Sequence, residues 1–259
     1  GSGTGTTGSA GRMNKRDIGL YGSGGAHPGR TQIVSDGTTT GPTIRVRDGY
    51  ARGFVLANLE VGNVDSADAD RAQPLMDVET EDTGTLTADS NDEWVGLYNV
   101  DFSGGGTGTY GLVLTGATMV RGNNLRFQGC VVGIYVRGSL NNNPENVYLS
   151  DLDFIDNVTA DIGASGNAGV GTWPATPVFS AQDSTSVRFY RAQHWDRGGT
   201  PVTNYINWGG GTGAGTTVNC GHFGGYFARD VADGTLLQLP VDFVVIGWSA
   251  AAAEFIIGA

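Results

Sequence analysis
The chain has 259 residues, 44 of them glycine, with 26 acidic and 15 basic side chains and a net charge of −11; Lys15 is its single lysine. That balance argues against a nucleic-acid partner, which requires a basic face. No apolar run reaches the ~18 residues of a membrane-spanning helix, since Asp242 and Glu254 interrupt Val241–Ala259.

The glycines follow no three-residue period, which excludes collagen and leaves turn-dense β structure. The opening segment, 1–16, is linker-like, as expected of a fragment or processed chain whose leader is absent or removed. Asp17-Ile-Gly-Leu-Tyr-Gly22 reads as a first strand with Ile18 and Leu20 inward and Gly22 at a bend. His27 and Pro28 follow in a loop before Thr31-Gln-Ile-Val34, with His27 expected at the surface.

The stretch Phe54-Val-Leu-Ala-Asn-Leu-Glu-Val61 then recurs. Its echoes are Val95-Gly-Leu-Tyr-Asn-Val-Asp-Phe102, Val120-Arg-Gly-Asn-Asn-Leu-Arg-Phe127 and Val147-Tyr-Leu-Ser-Asp-Leu-Asp-Phe154. In each copy apolar residues alternate with the period of 2 expected of a strand, then slip by one at Asn58, Asn99, Asn124 or Asp151. Such a slip normally turns the apolar face outward. A sharp corner at the Asn or Asp avoids this, because these residues tolerate the left-handed conformation that a tight bend needs.

A second strand class precedes the echoes: Thr43-Ile-Arg-Val46, Leu75-Met-Asp-Val78, Gly111-Leu-Val-Leu114, Gly133-Ile-Tyr-Val136 and a weaker Asp161-Ile-Gly-Ala164. The corners are 41, 25 and 27 residues apart, periods that signal a solenoid with loops of unequal length. From about Asp17 to Phe189 this pattern resembles the right-handed parallel β-helix, or pectin-lyase-like, superfamily. The expected fold is therefore all-β: a linker-like 1–16, a parallel β-helix over 17–199, and a β-rich cap or association region over 200–259. Lysine scarcity with abundant aspartate resembles proteins of halophilic archaea and their viruses.

Stacking the copies places Glu60, Asp101, Arg126, Asp153 and Arg188 in one outward column just after the corner, which reads as a ladder of ion pairs. The loops 63–72 and 79–93 gather Asp65, Asp68, Asp70, Glu79, Glu81, Asp82, Asp89, Asp92 and Glu93. Calcium takes several carboxylate oxygens, so these loops are candidate cation sites, although their spacing fits no EF-hand and a solvated acidic rim is the plainer reading. No cofactor is expected. Cys130 reads as a buried free thiol, and neither it nor Cys220 has metal-ligand spacing. His194 and Asp196 invite an acid/base reading, but no nucleophile accompanies them, and a structural role is preferred. The ends of such a coil expose strand edges that need covering, so 200–259 is expected to cap it or to join copies into a homo-oligomer, a trimer included.

The resemblance implies little about activity. Lyases of this superfamily use clustered acidic calcium ligands on the second strand class, with an Arg as base. Here its outward positions carry Arg45, Asp77, Val113, Tyr135 and Gly163, a single carboxylate. The Asn-Thr-Asp, Asp-Asp and Gly-His-Gly signatures of polygalacturonase-like members are absent; Gly221-His222-Phe223 departs from the last. Two readings remain. One is a non-catalytic attachment protein, a virion spike, fibre or decoration component at the virion surface or outside the cell, binding a cell-surface polysaccharide or glycoprotein. Trp94, Tyr135, Trp173, Trp195 and Asp77 are its candidate glycan-binding residues, since rigid aromatic rings suit sugar faces. The other is a secreted polysaccharide lyase or glycoside hydrolase with an atypical acidic site near Asp77, Glu79 and Glu93.

Overall fold
The protein is described by a computed structural model. Its described residues are 18–23, 30–35, 41–47, 53–63, 73–79, 94–105, 108–117, 119–137, 144–165, 173, 177 and 185–195, with backbone strands at 204–207, 221–224, 227–229, 236–238, 243–249 and 254–258. The linker-like start, His27 and most of the acidic loops lie outside them.

The described elements are all strands. In chain order they are β1 (Gly19–Tyr21), β2 (Thr31–Ser35), β3 (Ile44–Arg47), β4 (Phe54–Asn63), β5 (Pro74–Glu79), β6 (Val95–Ser103), β7 (Tyr110–Thr115), β8 (Val120–Gln128) and β9 (Val132–Arg137). There follow β10 (Glu145–Ile155), β11 (Ala160–Ser165), β12 (Thr185–Trp195), β13 (Asn204–Asn207), β14 (Gly221–Gly224), β15 (Phe227–Arg229), β16 (Leu236–Gln238), β17 (Phe243–Ser249) and β18 (Glu254–Gly258). One sheet runs β1-β4-β6-β8-β10-β12-β14-β17-β18, with β2 beside β4 and the β15-β16 pair beside β12; the other runs β13-β11-β9-β7-β5-β3. From β2 to β14 the chain alternates between the two sheets, and each strand pairs in parallel with the strand two places on. Parallel pairing continues past residue 199 through β13, β14 and β15. Antiparallel pairing begins at β14-β17, β15-β16 and β17-β18.

Register converts the repeated sequence into columns. Leu59, Val100, Leu125, Leu152 and Ala192 stand side by side, as do Val61, Phe102, Phe127 and Phe154. All are buried. The Phe102 and Phe127 rings stack at 4.9 Å and Phe127 and Phe154 at 5.3 Å. β8 is buried at Val120 and Gly122, exposed at Asn123 and Asn124, and buried again at Leu125 and Phe127. That is the slip seen in the sequence, and the corner keeps the apolar side inward.

The corners are where the sequence places them. Asn58, Asn99, Asn124 and Asp151 have φ of 59°, 54°, 53° and 55°. Their side chains bond along the stack: Asn99 Nδ2 donates to Asn58 Oδ1 at 2.9 Å and Asn124 Nδ2 to Asn99 Oδ1 at 3.0 Å. A fifth corner, Arg191 at φ 50°, follows in register. Further left-handed residues flank this line, with Gly53, Met119 and Asn146 ahead of it and Gly129 and Asp156 beyond it. Beside β4 the corner is flanked by two separate strands: Tyr21 of β1 pairs with Ala57 before the bend, and Thr31 of β2 with Leu59 after it.

The post-corner column reads Gln32, Glu60, Asp101, Arg126, Asp153 and Gln193. Arg188 does not belong to it. Because the last corner is Arg191, Arg188 precedes the bend and stands beside Tyr148, with Arg121 on that ring's other side. Like-charged Glu60 and Asp101 are neighbours, relieved by Gln32, whose Nε2 donates to Glu60 at 3.0 Å, and by Arg30, 2.6 Å from Asp101. Arg126 lies 3.8 Å from Asp101 and 3.9 Å from Asp153.

The second sheet corrects one expectation. Asp77, Val113 and Tyr135 point away from the main core, yet all are buried. Tyr110, Val113, Val131, Val132, Tyr135 and Ala160 form a second apolar cluster on that side, with Trp173 packed against it. Parallel sheets are ordinarily covered on both faces, and Trp173 is brought to this face from a region distant in sequence. Cys130 is buried and free as expected, its thiol pushed up to about 12 mainly by burial.

Candidate functional site: an exposed aromatic face
Ahead of the corner, the outward side of the first sheet carries two columns. One is Gly19, Val55, Gly96, Arg121, Tyr148 and Arg188; the other is Tyr21, Ala57, Tyr98, Asn123, Ser150 and Tyr190. Outward strand positions normally carry any polar residue, so a row of rings here is informative.

Two glycines set how the rings lie. A Cβ at Gly19 would fall 2.1 Å from Tyr21 Cε2, and one at Gly96 would fall 2.8 Å from Tyr98 Cε2 and 3.0 Å from Trp94 Cη2. Each tyrosine therefore folds back over the bare backbone of the glycine two residues before it. Trp94 and Tyr98 both reach over Gly96. Tyr21 is 68 % exposed, Trp94 37 % and Tyr148 38 %. Tyr148 and Tyr190 form a tilted pair at 5.4 Å. Arg121 is anchored through Nη1 to Val120 O at 3.1 Å and to Asn146 O. From β1 to β12 the face crosses five strand spacings, roughly 24 Å.

Of the residues singled out in the sequence, Trp94 lies on this face. Tyr135 does not: its ring packs 5.2 Å from Tyr110 and under Arg137, 1 % exposed, because the second apolar cluster covers it. Trp173 is half-buried beside that cluster, with the Arg45 guanidinium 5.9 Å above its ring. Trp195 ends β12 in register with Ile155, and its side chain lies outside the described residues. His194 stands in register with Phe154. The tyrosines at 21, 98, 148 and 190 escaped the sequence reading. The repeated Gly-Leu-Tyr at 19–21 and 96–98 was the available signal.

Asp77 belongs to a different place. It is 1 % exposed beneath the covering cluster, accepts a 3.4 Å hydrogen bond from Thr115 Oγ1, and lies 3.8 Å from Arg45 Nε. Arg45 also holds the buried carboxylate of Glu79. Burial foremost, then the charge of Glu79, raises the Asp77 carboxyl to about 7 against the pull of Arg45 and Arg137. Asp77 and Glu79 share the Arg45 guanidinium, and with its carboxyl raised to about 7 Asp77 is the group here able to exchange a proton near neutrality. It is also largely sealed from solvent.

The corner residues Asn58, Asn99, Asn124 and Asp151 hold structure. Arg191 grips Asp151 through both carboxylate oxygens at 2.6 and 2.7 Å, which holds that carboxyl below its usual range. Among the described residues no group of three or more His, Cys, Asp or Glu is placed to hold a metal ion, and no helix is long and apolar enough to cross a membrane. Most of the acidic loops considered for calcium lie outside the described residues. No family model matches the chain, nor does any curated protein or solved structure.

Proposed function
We propose that the chain is a non-catalytic attachment protein that binds cell-surface glycan on the aromatic face. The observation that carries this is the set of outward rings Tyr21, Trp94, Tyr98, Tyr148 and Tyr190, of which Tyr21, Trp94 and Tyr148 are exposed and Tyr98 and Tyr190 half-buried, with the Tyr21 and Tyr98 rings folded back over glycine. Sugars present apolar C–H faces, and rigid aromatic rings cover them at small conformational cost. The finer architecture belongs to the same proposal: a right-handed parallel β-helix whose C-terminal strands cap it or join copies into a homo-oligomer. A virion spike, fibre or decoration protein, or another extracellular surface protein, is the setting. The scarcity of lysine and the net charge of −11 support high salt as its medium.

The test is affinity electrophoresis through gels containing neutral or acidic polysaccharides. The parent chain is expected to be retarded, and Tyr98→Ala with Tyr148→Ala to migrate freely while keeping the parent circular dichroism. Equal retardation of the variant would remove the face from the proposal.

A second reading is favoured by Asp77, whose carboxyl near 7 beside Glu79 and Arg45 has the acid/base character of a polysaccharide lyase or hydrolase. It predicts reducing ends or unsaturated-product absorbance from polysaccharide, lost in Asp77→Asn. Turnover with that dependence would replace the attachment proposal.

A further inference from the structure
Charge is divided at the corner line. Beyond it lie Glu60, Asp101 and Asp153, each facing a polar or cationic partner: Gln32 at Glu60, Arg30 at Asp101, Arg126 between the two aspartates, and Gln193 at Asp153. Ahead of it, the two outward columns that hold the rings contain no carboxylate among the described side chains, and they contain Arg121 and Arg188. In a chain with 26 acidic and 15 basic residues this segregation is against composition.

The arginines divide in the same way. Arg30, Arg45, Arg126 and Arg191 each face a carboxylate. Arg121 and Arg188 face none among the described residues. They flank Tyr148 in one column, with β10 between their strands, so they stand about 10 Å apart with a ring in the middle. Arg121 is steadied by the backbone carbonyls of Val120 and Asn146, which fixes the guanidinium without neutralising it. Guanidinium groups bind carboxylate and sulfate in a planar fork.

We infer that the ligand of this face is an acidic polysaccharide, a polyuronate or sulfated glycan. Arg121 and Arg188 take anionic groups on either side of a sugar that stacks on Tyr148. This rests on the glycan-binding proposal and names its ligand class. The overall charge opposes a polyanion at long range, but at 0.1 M salt that field is screened within about 10 Å, and the local column decides.

The experiment measures binding of the full chain to alginate, dextran sulfate and neutral dextran, with Arg121→Ala/Arg188→Ala, its double Lys counterpart and Tyr98→Ala as variants. Circular dichroism checks the fold, and light scattering checks the oligomeric state. Alginate or dextran sulfate is expected to bind more tightly than dextran. The double alanine variant should lose affinity for the polyanion by about 10- to 100-fold and flatten its salt dependence, while the lysine pair retains part of both. Preference for dextran sulfate over alginate would assign sulfate, and the reverse carboxylate. Binding of dextran with no anionic preference, lost in Tyr98→Ala, would overturn this inference and leave the glycan face standing. No binding to any of the three would overturn both. A change in oligomeric state on removing the arginines, without effect on polysaccharide, would make the column a contact between copies and overturn the inference.

Discussion
Asn99 performs two tasks that few other side chains combine. Its backbone sits at φ 54°, a region costing most L-residues about 1–2 kcal/mol, and its amide links three neighbours. Nδ2 donates to Asn58, and Oδ1 accepts from Asn124 and from Arg30 at 2.9 Å. Asn99→Gly keeps the bend and loses the links, whereas Asn99→Ala loses both. The unfolding free energy from urea titration should therefore fall by about 1–2 kcal/mol for glycine and about 2–4 kcal/mol for alanine. Equal losses would deny the bend its share. Asp77 is the opposite kind of polar residue, buried where its charge is unwelcome. A carboxyl raised to about 7 in the folded chain holds a proton that the unfolded chain has released. The folded state is therefore favoured at this site below about pH 4, and that advantage disappears as pH rises through 7. Thermal midpoints at pH 5 and pH 8 should differ in the parent, with pH 8 lower, by an amount equivalent to about 2–4 kcal/mol. Asp77→Asn should flatten that difference. If it persists in the variant, another group is responsible.

At the level of strands, the stacked phenylalanines show what parallel register does with a repeat. Phe102, Phe127 and Phe154 occupy one column with rings about parallel, so Phe127 has an aromatic neighbour on both sides. Phe127→Ala should lower the unfolding free energy by more than the ~3–5 kcal/mol of an ordinary core phenylalanine, the excess being about 0.5–1.5 kcal/mol for each stacked neighbour, and Phe127→Leu should cost distinctly less; a loss within the ordinary range would argue that the stack adds nothing beyond burial. This column, and the strands that carry it, were readable because the alternation in sequence slips at Asn or Asp, residues whose chemistry announces a bend. Arg191 announces nothing. Its left-handed backbone is held by a grip on Asp151, 40 residues earlier, and so the sequence shifted Arg188 to the wrong side of the corner. Met119 is equally silent at the flanking bend. Tyr135 and Val113 alternate as outward residues should, and that their side is buried appears only when the structure brings Trp173 and Arg137 to it. The aromatic face failed differently. Gly-Leu-Tyr appears twice in the sequence, but that the ring lies on the glycine is a fact of rotamers and register that no spacing states.

For the molecule as a whole the question is how a chain with a net charge of −11 holds its carboxylates in stacked rows. The post-corner column answers locally by interleaving, with Arg126 between Asp101 and Asp153 and Arg30 reaching in from a loop. The Arg126 pairs, half open to solvent, are worth about 0–1 kcal/mol each, and salt weakens them. The remaining repulsion among acidic groups acts over longer distances, and salt removes it more completely, since the screening length falls from about 10 Å at 0.1 M to about 3 Å at 1 M. Repulsion should therefore dominate the balance. The thermal midpoint is expected to rise between 0.05 and 1 M KCl by several degrees, on the scale of about 2–4 °C per kcal/mol for a chain of this size. Chloride is chosen because sulfate would strengthen apolar burial as well. Arg126→Glu sharpens the test by placing a third acid between two aspartates. Its midpoint should lie below the parent's at 0.05 M and converge toward it at 1 M. A parent midpoint that falls with salt would mean that the ion pairs outweigh the repulsion, and the case for a high-salt medium would lose its physical basis.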